Sequence, residues 1–409
     1  MAKPNLTRRN FLVRTVQGAA SLAAVRLLGQ EQKSPTAGEK ATSVSQPIKR
    51  GLGRTGIELP VVSMGVMNAD NPALVRRALE LGIRHLDTAA YYENGRNEEM
   101  VGAMVKEQNL RQQTVITSKV FVPPERRRDD PVKIKEFYLK TAEASLRRLQ
   151  TDYIDILLAH NLQHPAELSN PGVLEALQTM KKQGKARFIG FSVHTRMAEM
   201  IQEAVRVGWP EAILTTYNYS LADDQPLAQA ISAAAAKGIG LIAMKTQCSQ
   251  YWYKEEKPAE MKQKFYDGQL LQTALLKWAL HNPAFATAVP GCTTFQQLEL
   301  DWPVVYDLEY TAKEKEFLSQ RGLNMALAYC RQCQSCTSSC PRGVDIPTLM
   351  RVHMYMACYN NFSLARQTYD DLIKHKNLTV CSDCSHCRAR CVNHIDIDKR
   401  LGDLHTLFC

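Results

Sequence analysis

The sequence lacks the long apolar segments of a polytopic membrane protein and the biased composition of a disordered or fibrous chain. No run of 18 or more apolar residues occurs among its 409 residues, which excludes a bundle of membrane-spanning helices. The hydrophobic fraction is 45% and the charged fraction is 22%, as in ordinary globular proteins. At roughly 150 residues per domain, the length predicts two or three domains.

The sequence also lacks a strongly basic region after its first fifty residues. The formal net charge is +10, but residues 1–50 hold nine basic and two acidic side chains, a net +7. The rest of the chain holds 42 basic and 39 acidic side chains, a net +3. Because nucleic-acid-binding surfaces concentrate Lys and Arg, this distribution predicts no nucleic acid partner.

Residues 1–30 predict an export signal. Arg8 and Arg9 precede Phe11 and Leu12, and a mildly apolar stretch then runs to residue 28. This pattern resembles a twin-arginine signal, which exports proteins already folded and therefore implies export across the cytoplasmic membrane of a bacterium, to the periplasm or cell envelope. A disordered basic tail is the alternative. No clear Ala-x-Ala cleavage site follows, so a retained signal would be the one membrane contact. Polar residues 31–50 predict a linker.

Short apolar runs rich in β-branched residues alternate with helical patterns over residues 51–322. The predicted helices between them include 72–81, 133–149, 172–183 and 224–237. Such alternation indicates parallel βαβ units, and eight of them predict an α/β fold, a (β/α)8 barrel, in preference to an open sheet. The eight predicted strands are 61–66, 85–90, 115–120, 154–160, 187–193, 212–218, 240–245 and 286–290.

Four polar residues lie at or just beyond the carboxyl ends of three successive predicted strands. Asp87 lies in the second strand and Tyr92 just beyond it, while Lys119 and His160 lie at the ends of the third and the fourth. In (β/α)8 barrels the active site lies at this edge of the sheet. One such residue is weak evidence because most serve packing, but the ordered set of four predicts a shared catalytic site.

The motif Asp-Thr-Ala-x-x-Tyr from Asp87 to Tyr92, with Lys119 and His160, resembles the aldo/keto reductases. These are (β/α)8 oxidoreductases that use a nicotinamide cofactor without a Rossmann fold. The resemblance implies that Tyr92, rather than Tyr91, is the catalytic acid and base, that Asp87 holds Lys119, and that His160 orients a small carbonyl or alcohol substrate. An ammonium group beside a phenol favours the phenolate, so Lys119 is expected to make Tyr92 a better proton donor.

The cofactor contacts that the resemblance implies are only partly retained. Ser192 matches the serine that binds the nicotinamide carboxamide, while Met244 stands where a tyrosine stacks on the ring. Gly291 and Thr293 follow the eighth predicted strand, where NADPH-using members carry a Lys-Ser pair. Gln297 replaces the later arginine, so no positive clamp for a 2′-phosphate is visible. The use of NADPH, of NADH or of neither stays open.

Residues 323–409 predict a small, mainly α-helical ferredoxin-like domain. Ten of the twelve cysteines lie at or after Cys330, and helical patterns at 348–358 and 364–373 separate two cysteine runs. Each run has the spacing Cys-x2-Cys-x2-Cys-x3-Cys. The two runs are Cys330, Cys333, Cys336 and Cys340, and Cys381, Cys384, Cys387 and Cys391.

This duplicated spacing resembles the ferredoxin run that holds two [4Fe–4S] clusters, in which the fourth cysteine of each run binds the other cluster. Cys391 is therefore assigned to the first three cysteines of the first run, and Cys340 to those of the second. Disulfides after export and a zinc site are weaker alternatives, because neither requires duplicated triple spacing. The cysteines outside the runs are expected to be bystanders: Cys248, Cys292, Cys358 and Cys409.

Together these features predict an exported iron–sulfur oxidoreductase that interconverts a carbonyl and an alcohol, with clusters that exchange electrons with a redox partner protein. The alternative is a catalytically silent barrel that serves as an electron-transfer subunit of a partner protein.

Overall fold

The computed structural model describes residues 46–247, 268–320, 329–384 and 386–409. The predicted export signal, residues 1–30, and most of the predicted linker lie outside these ranges. Residues from Ser45 to Cys409 form one unit. In the described part of the chain, no helix is both long enough and apolar enough to cross a bilayer.

A closed barrel of eight parallel strands forms the centre of the structure. Each strand pairs with the next along the chain, and bridges between Val62 and Ala288 and between Gly65 and Gly291 close the ring. This confirms the predicted (β/α)8 barrel. The strands are β3 (Met64–Gly65), β4 (His85–Asp87), β5 (Val115–Val120), β6 (Ile154–Leu162), β7 (Ala186–Val193), β8 (Ala212–Thr216), β9 (Gly240–Met244) and β10 (Phe285–Val289).

Nine helices are described around the barrel, and polar caps followed by proline begin several of them. Asp130, for example, accepts hydrogen bonds from the backbone N–H groups of Val132 and Lys133, with a proline at the first helical position. The helices are α1 (Pro72–Leu81), α2 (Arg96–Glu107), α3 (Pro131–Leu149), α4 (Pro171–Lys182), α5 (Met197–Val207), α6 (Gln225–Ala236), α7 (Gly268–His281), α8 (Phe295–Asp301) and α9 (Ala312–Leu318).

The start of the barrel differs from the sequence-based prediction. A hairpin of β1 (Lys49–Gly51) and β2 (Glu58–Pro60), which was not predicted, precedes the barrel. The guanidinium of Arg50 donates to the carbonyl of Phe285 at 3.0 Å. The linker prediction is therefore wrong at residues 49 and 50, because backbone pairing and this hydrogen bond attach them to the barrel.

The C-terminal residues form three helices with a hydrophobic core of their own. They are α10 (Ile346–Ala357), α11 (Phe362–Asp370) and α12 (Ile397–Phe408). Leu349, Ala365 and Leu404 are fully buried among them, and both cysteine runs border this core. The predicted small helical domain is thus confirmed.

The C-terminal domain contacts the barrel at the carboxyl ends of the strands. The hydroxyl of Tyr91 donates to Asp371 Oδ2 at 2.5 Å, and the hydroxyl of Thr195 donates to the carbonyl of Gln332 at 2.9 Å. Asn361 on this domain also donates to Asn68 at 3.0 Å. Because the active site of this fold opens at the same end, the added domain covers it.

Candidate active site and cysteine clusters

Strand register brings the predicted catalytic residues together. Asp87 pairs with Thr117 on β5, so Lys119 lies two residues further towards the carboxyl edge, beside Leu158 on β6. Lys119 Nζ donates to Asp87 Oδ1 at 2.7 Å, to the carbonyl of Thr88 at 2.6 Å and to the Tyr92 hydroxyl at 3.4 Å. The ring centroid of His160 lies 5.6 Å from that of Tyr92.

Burial dominates the electrostatics of this group. Lys119 is 1% exposed, and burial lowers its pKa, while the neighbouring carboxylate of Asp87 opposes that shift. Burial raises the pKa of Tyr92 well above 10, and the charge of Asp87 raises it further. His160 is neutral because burial and the nearby charges of Lys119 and Arg351 lower its pKa.

The expectation that Lys119 lowers the pKa of Tyr92 is therefore not met in this structure. The ammonium group makes its two short hydrogen bonds to Asp87 and Thr88, and its contact with the phenol is the longest of the three. Desolvation of the phenolate outweighs this distant contact. Burial therefore makes Tyr92 a weaker acid in this structure than an exposed tyrosine.

Tyr92 and the neighbouring Tyr91 point to different partners. Tyr91 hydrogen-bonds to Asp371 and receives a second contact at its carbonyl from Gln367 at 3.2 Å, so it attaches the C-terminal domain. Tyr92 faces Lys119. Of the two tyrosines, Tyr92 is therefore the one that contacts the Lys119 ammonium, and its catalytic role stays a prediction.

A cavity of about 580 Å³ lies between the barrel rim and the C-terminal helices. Asp87, Tyr92 and His160 line it, and Lys119 lies directly behind them. Three of the four predicted cofactor contacts also line this cavity: Met244, Gly291 and Thr293. The predicted catalytic residues and the predicted cofactor contacts, except Ser192, therefore lie at the same cavity.

Ser192 is 1% exposed and is absent from the described wall of the cavity. Its hydroxyl instead accepts a hydrogen bond from the backbone N–H of Asn161 at 2.9 Å. Asn161 itself lines the cavity and adopts a left-handed backbone, with φ of 56°. Ser192 thus holds the backbone of the residue that follows His160. It reaches the cavity only through Asn161, which the motif did not predict.

Sequence reasoning missed the residues that the C-terminal domain contributes to the cavity. Arg351, Tyr355 and Tyr359 on or just after α10 line it opposite the barrel, together with Lys245 at the end of β9. The ammonium of Lys245 lies 5.0 Å from the centroid of the Tyr355 ring and 5.6 Å from that of Tyr359. The spacing of residues within one motif does not predict such contacts, because they depend on how the two domains pack against each other.

The electrostatic neighbours of two cluster cysteines, Cys336 and Cys381, come from both cysteine runs. The thiol of Cys336 interacts electrostatically with Cys330, Cys333 and Cys391, and these neighbours add to the effect of burial in raising its pKa to about 12. The thiol of Cys381 interacts in the same way with Cys340, Cys384 and Cys387, and also with the nearby bystander Cys409; its pKa is raised to about 11, chiefly by burial.

The surroundings of these cysteines fit thiolate ligands of a multi-iron cluster. All eleven cysteines in the described ranges are free of disulfides. Gln332 Nε2 donates to Cys330 Sγ at 3.3 Å, and the backbone N–H of Asn393 donates to Cys391 Sγ at 3.4 Å. No three His, Cys, Asp or Glu side chains among the described residues converge as ligands of a single metal ion; in a four-iron cluster each thiolate binds a different iron.

The barrel and the Asp–Lys–Tyr–His group at its carboxyl edge define the class of protein as a (β/α)8 oxidoreductase. Residues 62–314 match the family model "Aldo/keto reductase family", and residues 329–396 match the model "4Fe-4S dicluster domain". The chain belongs to the aldo/keto reductase family and carries a 4Fe-4S dicluster domain after its barrel.

Known relatives match the barrel. An L-galactose dehydrogenase of Arabidopsis thaliana is 26% identical over 298 residues, 66% of this chain and 92% of its own length. A glyoxal reductase of Bacillus subtilis is 34% identical over 171 residues, 40% of this chain and 55% of its own. Among solved structures, a holo aldo-keto reductase from Bacillus halodurans superposes with a TM-score of 0.54 at 24% identity, covering 67% of this chain and 95% of that one.

Proposed function

We propose that the protein interconverts a carbonyl and an alcohol in the 580 Å³ cavity, with Tyr92 as the acid and base. The observation that carries the proposal is the buried Asp87–Lys119 ion pair, whose ammonium lies 3.4 Å from the Tyr92 hydroxyl at the cavity wall. The names of two relatives, a dehydrogenase of L-galactose and a reductase of glyoxal, agree with such a reaction.

The residues divide the work of proton transfer. Reduction of a carbonyl places negative charge on its oxygen, which must be protonated. Tyr92 is protonated at neutral pH, as a phenol normally is, and its hydroxyl at the cavity wall can donate to that oxygen. Neutral His160 offers a second N–H donor that orients the oxygen, while Asp87 keeps Lys119 in place as the positive charge that stabilises the phenolate left behind.

The cavity fits a nicotinamide ring better than it fits a 2′-phosphate. Met244 would contact the ring, Gly291 and Thr293 would lie beside the rest of the cofactor, and a bound nicotinamide dinucleotide would supply the hydride. At the start of α8 the Oε1 atom of Gln297 accepts hydrogen bonds from the backbone N–H groups of Thr293 and Thr294. An uncharged side chain thus occupies the place of the phosphate clamp, so we propose NADH rather than NADPH.

Anaerobic titration of the purified holoprotein with NADH and NADPH tests this proposal. We expect NADH to quench protein fluorescence with at least about tenfold higher affinity than NADPH, because uncharged Gln297 stands at the position of the 2′-phosphate clamp. The variant Gln297→Arg should narrow this difference by strengthening NADPH binding. Failure of both nucleotides to bind would overturn the nicotinamide proposal.

We infer that the eight cysteines of the two runs hold two [4Fe–4S] clusters. Cys330, Cys333, Cys336 and Cys391 would bind one, and Cys340, Cys381, Cys384 and Cys387 the other, in agreement with their electrostatic grouping. Such clusters carry single electrons, which makes a redox partner protein part of the proposal. The silent-barrel alternative shares this electron transfer but gives no role to the group around Tyr92.

We also propose export by the twin-arginine route. The Arg8–Arg9 pair supports it, as does a domain whose metal centres would be assembled before translocation. Replacing both arginines with lysine should leave the protein in the cytoplasmic fraction, whereas the matched replacement of Arg14 and Arg26 should not. Unchanged fractionation of the Arg8–Arg9 variant would contradict the proposal.

A further inference from the structure

A buried arginine of the C-terminal domain faces the cavity and has no partner among the described residues. Arg351 on α10 is 6% exposed and lines the cavity beside Lys245. Across the described residues, its guanidinium makes no hydrogen bond and no ion pair. A buried guanidinium has five N–H donors to satisfy and a large desolvation cost, so such a position is costly unless a ligand supplies acceptors.

Lys245 is held in a defined position next to this arginine. Its backbone is left-handed, with φ of 57°, and its carbonyl accepts a hydrogen bond from Asn218 at 3.1 Å. The ammonium lies against the rings of Tyr355 and Tyr359, which belong to the same segment as Arg351. A non-glycine residue in this conformation is strained, and such strain is concentrated at functional sites.

Among the described residues, no nearby carboxylate pairs with these two cations. Three acidic residues are among the described residues that line the cavity, and each is already engaged. Asp87 pairs with Lys119, Asp345 caps α10, and Asp371 accepts the hydrogen bond from Tyr91. Burial lowers the pKa of Lys245 to about 7, and the repulsion from Arg351 and Lys119 adds to this shift.

We propose that Arg351 and Lys245 bind the carboxylate of the substrate, so that the protein acts on an anionic carbonyl or alcohol compound such as a 2-oxo acid or a uronic acid. A guanidinium and an ammonium match a carboxylate in charge and hydrogen-bond geometry. The reacting oxygen lies at Tyr92 and His160 in the same cavity, whose size admits a small molecule. The cluster domain thereby contributes directly to substrate recognition. This inference rests on the proposed function, because it names the substrate class of that site.

A different arginine, Arg400, lies near Cys330 of the first cysteine run. The neighbours that influence the thiol of Cys330 include Arg400, which is fully buried, whereas Arg351 acts on His160, His194 and Lys245. Arg400 is thus placed to offset the charge of a cluster. Arg351 lines the catalytic cavity, and it also lines a small neighbouring pocket that includes Cys330.

Binding of matched compounds to the anaerobic holoprotein tests the proposal without requiring turnover. The probes are D-glucuronate against D-glucose and pyruvate against methylglyoxal, pairs in which one member carries a carboxylate. Isothermal titration should show a dissociation constant at least about tenfold lower for the acid in one pair or both. Arg351→Met and Lys245→Met should each weaken binding of that acid about tenfold to hundredfold, and Arg351→Lys should recover part of it.

The matched control is Arg366→Met, which removes an exposed cation from α11 and should leave acid binding unchanged. Iron content and the EPR spectrum establish that each variant is folded and loaded. Equal affinity for the acid and neutral members, or no acid binding up to about 10 mM, overturns the proposal. The proposal is also overturned if Arg351→Met weakens only the binding of NADH, because the anion at this site would then be the cofactor's pyrophosphate. A variant that only shifts the reduction potentials of the clusters would overturn it as well.

These outcomes are separable from failure of the proposed function. Carboxylate binding that depends on Arg351 but survives without any nucleotide binding would support the anion site while rejecting nicotinamide chemistry. NADH binding without a carboxylate preference would do the reverse.

Discussion

Replacing Tyr92 with phenylalanine should lower kcat by about 10²–10⁴-fold, the usual contribution of a general acid or base. The variant removes the hydroxyl that lies 3.4 Å from Lys119 Nζ and keeps the ring that packs against His160. Affinity for NADH should change little, because the hydroxyl serves proton transfer. Steady-state kinetics with a carbonyl substrate measures kcat, and titration of the same samples with NADH measures its affinity.

The adjacent tyrosine provides the matched control. Tyr91→Phe also deletes one hydroxyl at the cavity wall, but that hydroxyl bonds to Asp371 on the C-terminal domain. We expect it to reduce stability, by about 1–3 kcal/mol if Asp371 is left unsatisfied, and to change kcat less than about tenfold. Turnover that survives in Tyr92→Phe would favour the silent barrel, and an equal loss in both variants would show that domain packing, not acid catalysis, limits the rate.

The catalytic group could be predicted from the sequence because the barrel topology fixes which strand ends are neighbours. Parallel strands in chain order bring the carboxyl ends of β4, β5 and β6 side by side, so Asp87, Lys119 and His160 meet wherever a barrel forms. Their electrostatic balance was not predictable in the same way. Whether Lys119 lowers the pKa of Tyr92 depends on distances of a few tenths of an ångström, and the ammonium is closer to Asp87 and Thr88.

The wall of the cavity that the C-terminal domain forms could not be predicted from the sequence. Arg351 lies in a helical pattern whose neighbours in sequence are apolar, and nothing in that pattern indicates the catalytic group, which lies between Asp87 and His160. Ser192 shows the opposite case, since its motif predicts a cofactor contact while its hydroxyl bonds to the backbone of Asn161. Motifs specify residue types at strand ends, whereas side-chain contacts between domains are fixed only by packing.

Removing Cys340 should eliminate the cluster of the second cysteine run and leave that of the first. Cys340 belongs by sequence to the first run, but its neighbours are Cys381 and Cys387. The backbone N–H of Arg390 donates to Ser339 Oγ at 3.0 Å, which places the ends of the two runs side by side and lets the fourth cysteines exchange partners. Wild-type protein should contain about eight irons, and the Cys340→Ala variant about four.

Pairs of substitutions separate crossed from uncrossed ligation. If Cys340 and Cys384 bind the same cluster, Cys340→Ala with Cys384→Ala should lose no more iron than either alone, because effects on one unit are not additive. Cys340→Ala with Cys333→Ala should remove both clusters and nearly all iron. The barrel control Cys292→Ala should retain about eight irons, since Cys292 lies outside both runs. The uncrossed arrangement predicts the reverse, with about four irons in the Cys340–Cys333 pair and none in the Cys340–Cys384 pair, so iron analysis with EPR distinguishes the two.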